Sequence, residues 1–63
     1  MNQEMRMLLA ERAKIVADQR AMLDKAEREK RNLTADENIS YENMDKEVER
    51  LTRDIEKART EER

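Results

Sequence analysis

The sequence contains no cysteine, no histidine, no glycine and no proline, and its one aromatic residue is Tyr41. Without cysteine and histidine, the chain cannot form disulfides and lacks the usual ligands of zinc, haem and iron–sulfur clusters. Without glycine, it has no phosphate-binding loop of the glycine-rich type. A chain of 63 residues with these absences is expected to gain stability by associating with itself or with a neighbouring domain.

Catalytic chemistry also lacks its usual residues. The 16 carboxylates are interspersed with 14 lysines and arginines, which is typical of a solvated helix surface. Paired carboxylates catalyse reactions where a cleft shifts one pKa, and two helices offer no obvious cleft. The hydroxyl residues have no histidine to act as their base. We therefore expect no enzyme, no catalytic, cofactor-binding or metal-binding residue, and no cofactor.

Neither a membrane nor a nucleic acid is an expected partner. The sequence has no run of about 18 apolar residues that could span a bilayer. The basic stretch from Lys25 to Arg31 is interrupted by Glu27 and Glu29 and has no aromatic residue to stack on bases. Its cations suit the C-terminal end of a helix, where the helix dipole is negative.

The residues that are present are typical of long helices. Charged residues make up 48% of the chain, and Ala, Glu, Lys, Arg, Leu and Met dominate the composition. We predict an all-α fold with a single domain over residues 1–63. The first helix is expected over about residues 3–31 and the second over about residues 35–61, with a short capped turn near residues 32–34.

The boundary between the helices is predicted from the stretch Leu33–Glu37. It contains Thr-x-x-Glu, a capping box in which the Thr34 hydroxyl accepts from the N–H of Glu37 and the Glu37 carboxylate accepts from the N–H of Thr34. The first helix is expected to end near Arg31 or Asn32, with Asn32 in the left-handed conformation that follows many helices. Because no glycine or proline forces a break, one continuous helix of about 60 residues is the alternative.

Both predicted helices carry apolar residues at heptad spacing. In the second helix, spacings of 3, 4, 3, 4 and 3 residues relate the apolar positions from Tyr41 to Ala58. In the first helix, adjacent apolar pairs recur every seven residues, and the other seam position is filled by Met5, Arg12, Gln19 and Ala26. Burial of Arg12 or Gln19 would cost stability, but either residue could fix the register. The predicted interaction seam consists of Leu9, Val16, Leu23, Tyr41, Met44, Val48, Leu51 and Ile55.

Folding the chain back at the turn brings the two apolar rows together. The antiparallel pairs are Leu23 with Met44, Val16 with Leu51 and Leu9 with Ala58. The halves also have opposite charge, +2 over residues 1–31 and −4 over residues 32–63. We therefore predict an antiparallel helical hairpin, or coiled coil, that self-associates as a homo-oligomer, because its wide apolar stripe suits more than two helices. A straight or domain-swapped rod remains open.

The junction also resembles a known protein family. Residues 31–37 (Arg-Asn-Leu-Thr-Ala-Asp-Glu) are close to the pattern Arg-x-Leu-Thr-Ala-Glu-Glu, and Tyr41, Glu47, Leu51 and Ile55 follow in the next helix. This combination resembles the N-terminal delta, or scaffolding, domain of tailed-phage major capsid proteins with the Hong Kong 97-type fold. The resemblance covers nearly the whole chain, and Asp36 stands where the family more often has glutamate.

This resemblance implies a structural role. It implies a helical leader that guides procapsid assembly and is then removed by a phage maturation protease. Its further partner would be the capsid domain of its own parent chain, which would follow Arg63 and is absent from these residues. The expected location is the host cytoplasm, inside the procapsid before proteolytic removal. The alternative function is a general coiled-coil oligomerisation or adaptor module of a bacterial cytosolic protein.

Overall fold

A computed structural model describes residues 2–61, which form two α-helices and the connection between them. Helix α1 spans Gln3–Arg28 and helix α2 spans Ala35–Glu61. Hydrogen bonds join Arg12 to Thr52 and Gln19 to Asp45, so the helices run antiparallel. The Cα atoms extend over 47 × 17 × 11 Å. The predicted all-α antiparallel hairpin is confirmed, and the chain is not one continuous helix.

Helix α1 begins where a side chain satisfies one of its free backbone donors. The Oδ1 atom of Asn2 accepts a hydrogen bond of 2.7 Å from the backbone N–H of Met5. Asparagine is among the residues preferred at this position because its short side chain can reach the exposed amides of the first turn. Glu4 adds negative charge at the positive end of the helix dipole.

Helix α1 ends at Arg28, three residues before the end that the sequence predicted. The N–H of Lys30 donates to the carbonyl of Glu27, and the N–H of Arg31 donates to the carbonyl of Ala26, both at 3.0 Å. These two bonds form a Schellman motif, which satisfies the last free carbonyls of a helix. Lys30 has a φ of 54°, the left-handed conformation that the motif requires.

The predicted left-handed role of Asn32 is therefore wrong. Lys30 takes this conformation, and Asn32 lies two residues further along, in the connection over residues 29–34. A lysine at a positive φ costs roughly 1–2 kcal/mol relative to a right-handed conformation. No residue type in the stretch marked that position, because residues 25–31 are good helix formers throughout.

Helix α2 begins at Ala35, as the capping box predicted. The N–H of Glu37 donates to the Thr34 hydroxyl at 3.1 Å, and the N–H of Thr34 donates to the Glu37 carboxylate at 2.8 Å. The first backbone bond of the helix runs from the N–H of Asn38 to the carbonyl of Thr34, at 2.8 Å. Both reciprocal bonds of the box are thus present.

The hydrophobic core of the described residues is small and lies mainly towards the open end of the hairpin. Its central cluster is Met5, Ile55 and Ala58, with the half-buried Leu8 and Leu9 packed against it. Leu51 and Ile55 are the most deeply buried large side chains, at 0% and 2% exposure. Ala26 is the buried apolar residue closest to the turn.

Candidate functional site

The predicted row of α2 faces α1 along its whole length. Leu51, Ile55 and Ala58 are buried, and Tyr41, Met44 and Val48 are half-buried. The buried positions therefore lie in the half of α2 nearer the open end of the hairpin, and the half-buried positions lie in the half nearer the turn. The heptad spacing of this helix identified its inward face correctly.

The inward face of α1 differs from the predicted one. Its central row consists of Met5, Arg12, Gln19 and Ala26, of which Arg12 is half-buried and the others are buried. The predicted seam residues form an outer row, Leu9, Val16 and Leu23. Leu9 is half-buried, whereas Val16 and Leu23 remain 42% and 45% exposed. The assignment of Val16 and Leu23 to the interior of the hairpin is therefore wrong.

A rotation of α1 about its axis accounts for this difference. Each residue of the outer row follows a central-row residue by four positions, which turns it about 40° around the helix axis. The adjacent apolar pairs of α1 make a stripe wide enough for several rotations to bury similar area. The rotation that is adopted places Arg12 and Gln19 against polar partners on α2.

Gln19 forms the first of these polar contacts. It is 7% exposed, and its amide Nε2 donates to the Asp45 carboxylate at 2.6 Å and to the Tyr41 carbonyl at 3.3 Å. A buried amide costs little when its donors are paired, and costs about 1–3 kcal/mol when they are not. Gln19 therefore fixes the position of the middle of α1 along α2, beside Tyr41 and Asp45.

Arg12 forms the second polar contact, one heptad closer to the open end. Its guanidinium donates to the Thr52 hydroxyl at 3.1 Å, and that hydroxyl donates to the Val48 carbonyl at 2.8 Å. The Thr52 hydroxyl is thereby held with its lone pair towards α1. In residues 2–61, every buried side-chain nitrogen or oxygen has a hydrogen-bond partner.

These contacts also correct the predicted register. The bonds from Arg12 to Thr52 and from Gln19 to Asp45 join residues whose numbers sum to 64, and the bond from Gln19 to the Tyr41 carbonyl sums to 60, whereas the predicted pairs sum to 67. Leu9 does pack against the cluster that contains Ala58. The predicted burial of Val16 with Leu51 and of Leu23 with Met44 does not occur, because Val16 and Leu23 lie on the outer row.

Arg31 connects the two helix ends at the turn. Its guanidinium donates to Glu29 at 2.7 Å and to the Asn32 carbonyl at 3.0 Å. It also makes two parallel bonds to the Glu37 carboxylate, at 2.7 and 3.2 Å. Because Glu37 also accepts from Thr34, one carboxylate joins the arginine to the capping box. Bidentate arginine–carboxylate pairs fix geometry better than single contacts do.

The charges of this network shift the titration of its members. Hydrogen bonds from Arg31 and then from the Thr34 N–H lower the pKa of Glu37 from 4.5 to about 2. A hydrogen bond from Arg31 also lowers the pKa of Glu29. The two carboxylates in turn raise the pKa of Arg31 above its ordinary value. The turn is thus held in its ionised form at neutral pH.

The sequence indicated that Gln19 could fix the register but did not identify its partner on α2, and the role of Arg31 was not predicted. A polar residue at a seam position with an acidic residue on the other helix was the available signal for Gln19. For Arg31, the signal was its place in the same seven-residue motif as Thr34 and Glu37. The pairing itself depends on Lys30, whose left-handed conformation turns Arg31 back towards Glu37.

The outer row of α1 lines an open groove on one side of the hairpin. Val16 and Leu23 form its apolar wall together with Tyr41 of α2, and Arg20, Asp24 and Glu27 form its charged rim. Two other large apolar side chains, Met7 and Ile39, are 63% and 57% exposed. Val16 and Leu23 lie one heptad, about 10 Å, apart on the same side of α1, and together we call them the apolar strip.

Residues 2–61 contain neither a cluster of metal ligands nor a membrane-spanning helix. No group of three or more acidic side chains is arranged to hold a metal ion. Neither helix has the length and apolarity that crossing a bilayer requires.

Comparison with known proteins leaves the family unassigned. No protein family model, no curated protein and no solved structure matches this chain.

Proposed function

We propose that this hairpin is a self-associating scaffolding module, of the kind that precedes the shell domain in tailed-phage major capsid proteins. In this role, many tethered copies associate through weak helix contacts and set the spacing of the domains attached to them. A maturation protease then removes the module.

The exposed apolar strip is the observation that carries the proposal. Val16 and Leu23 are 42% and 45% exposed at heptad spacing in a chain that is 48% charged. Covering a valine or leucine side chain completely contributes about 1.5–3 kcal/mol, and a half-exposed one retains part of that gain for a second contact. The hairpin therefore keeps apolar surface available for another helix.

The small core supports the same role. Only Leu51 and Ile55 of the described large side chains are buried to 2% exposure or less. The core within one hairpin is small, and the external apolar strip offers only a weak contact. Assembly through such contacts therefore needs a high effective concentration, which many tethered copies would provide. The small core also leaves helices that open readily to a protease once the copies separate.

The finer part of the proposal, a phage capsid leader, rests on the resemblance over residues 31–37. The hydrogen bonds of the turn give those residues one connected role, since Arg31, Thr34 and Glu37 together hold the start of α2. A motif of this kind preserves a turn geometry, which is what a scaffold with fixed helix spacing needs.

Sedimentation equilibrium with far-UV circular dichroism, across a range of protein concentrations, tests self-association. We expect a helical species that dissociates on dilution. The double variant Val16→Asp and Leu23→Asp should weaken association by at least about tenfold, because it places charge on the strip (1.4 kcal/mol per tenfold).

A matched control is available on α2. The single variant Ile39→Asp also introduces a carboxylate at an exposed apolar position, 57% exposed, but lies outside the groove. It should leave association unchanged. Leu51 and Ile55 are unsuitable for this test because they are buried in the hairpin, so their replacement is expected to destabilise the hairpin itself. A wild-type chain that is monomeric at all concentrations contradicts the proposal.

Two observations test the capsid-leader part separately. The reading frame that encodes Arg63 should continue into a shell domain, and in that protein the double variant at Val16 and Leu23 should give aberrant shells or none. Normal shells from the variant contradict the capsid role. Self-association without a downstream shell domain would instead identify a general coiled-coil module.

A further inference from the structure

We infer that the outer row of α1 docks against the outer row of a second copy, antiparallel, around a two-fold axis at Val16. The proposal rests on the self-association proposed above and specifies which surfaces meet and in which direction. The contact pairs Val16 with Val16 of the second copy and Leu9 with Leu23 of the second copy at both ends.

The heptad spacing fits this pairing. Leu9, Val16 and Leu23 are separated by seven residues, so the row is symmetric about Val16. A two-fold contact uses the same surface of both copies, which requires a row that matches itself when reversed. The exposed residue Ala13 flanks Val16 one turn earlier, and its small side chain allows the two helices to approach closely there.

The charges beside the row determine its direction. The positions that flank the outer row on its solvent side are Arg6, Ala13, Arg20 and Glu27, all exposed. In an antiparallel pair, Arg6 of one copy lies against Glu27 of the other at both ends, and Arg20 lies against Ala13. A parallel pair would keep Arg6 and Glu27 roughly 30 Å apart, at 1.5 Å per residue.

The size of the contact indicates a weak interaction. The row from Leu9 to Leu23 is about 21 Å long, so the contact buries on the order of a few hundred Å² per copy. A stable interface buries about 800 Å² per partner. Such a contact forms mainly at high local concentration, which is the condition inside an assembly of tethered copies.

Cysteine cross-linking tests the geometry directly, because the natural chain contains no cysteine. The Val16→Cys variant places two thiols at the two-fold axis. We expect it to form a disulfide dimer at least about tenfold faster than Lys14→Cys, since docking gives the thiols a high effective concentration. Lys14 is the matched control because it is exposed on the opposite side of the same helix.

Two more variants report the direction. Leu9→Cys and Leu23→Cys should each cross-link slowly alone and rapidly when mixed, because they meet each other only in the antiparallel pair. Rapid self-linking of each one alone indicates a parallel pair and overturns the inference. Equal rates for Val16→Cys and Lys14→Cys also overturn it. If the wild-type chain still associates in sedimentation, the proposed function stands without this interface.

Exchanging the charges at positions 6 and 27 gives a second test of the antiparallel direction that does not need cysteine. Glu27→Arg should weaken association about tenfold, because the symmetric pair loses two attractions and gains two repulsions. Adding Arg6→Glu to the same chain should restore it. Failure of the second change to restore association contradicts the antiparallel direction, whereas a monomeric wild type contradicts the proposed function itself.

Discussion

The two ends of the hairpin are held together by different kinds of interaction. At the open end, Met5, Ile55 and Ala58 form a buried apolar cluster that Leu8 and Leu9 extend. At the turn, Arg31 links Glu29, the Asn32 carbonyl and Glu37 by hydrogen bonds. The open end has no covalent connection and needs apolar burial. At the turn the chain itself joins the two helices. A few polar bonds are therefore enough there to fix the orientation of one helix end relative to the other.

The largest effect should come from the apolar end. Ile55→Ala removes a side chain that is 2% exposed, and we expect it to lower the free energy of unfolding by about 2–5 kcal/mol. A 63-residue domain has a total stability of roughly 3–9 kcal/mol, so this variant should lose a large fraction of it. Urea denaturation followed by circular dichroism at low protein concentration measures the change.

Ile39→Ala is the matched control for that experiment. It makes the same chemical change on the same helix at a side chain that is 57% exposed. We expect a change within about 0.5 kcal/mol. Equal losses from the two variants would show that burial at the open end does not dominate the stability.

A smaller effect should come from the polar contact midway between the ends. Gln19→Glu replaces the amide donor with a carboxylate beside Asp45, and we expect a loss of about 1–3 kcal/mol in unfolding free energy. Adding Asp45→Asn restores a donor opposite the new carboxylate and should recover part of this loss. The four chains of this double-mutant cycle, including Asp45→Asn alone, are compared by urea denaturation. Strictly additive losses would mean that Gln19 and Asp45 do not interact.

The smallest effect should come from the ion pair at the turn, and it depends on pH. The pKa of Glu37 is about 2 in the folded chain against 4.5 ordinarily, so its stabilising contribution is present above about pH 4.5. That contribution is lost as the pH falls from about 4.5 towards 2, where the folded state takes up the proton. Urea denaturation over this range should show the wild type losing its advantage over Glu37→Gln. A constant difference between the two chains contradicts a role for the ionised carboxylate.

The features that the sequence could predict are those that depend on one helix alone. Local rules suffice for the start of α2, because Thr34 and Glu37 complete their capping box within four residues. The 3–4 spacing likewise identifies Leu51 and Ile55 as buried, since α2 has one narrow apolar row. These features do not depend on what the other helix presents.

The missed features depend on pairing between distant residues. The rotation of α1 is decided by bonds of Arg12 and Gln19 to residues 40 and 26 positions away, and several rotations of a wide stripe fit the pattern equally well. The end of α1 depends on Lys30, whose left-handed conformation is unfavourable by itself. The side-chain bonds of Arg31 accompany that conformation, and they cannot be read from local propensity.

The position of Lys30 and Arg31 has a consequence for digestion by trypsin. Among residues 2–61, these are the lysine and arginine side chains that lie outside both helices. Proteases need an extended substrate segment, so cleavage should begin in this connection and spare the helical sites. A single cut there divides the molecule into a basic fragment and an acidic fragment of nearly equal length. Whether the two fragments co-elute then measures the strength of the interface without its covalent link.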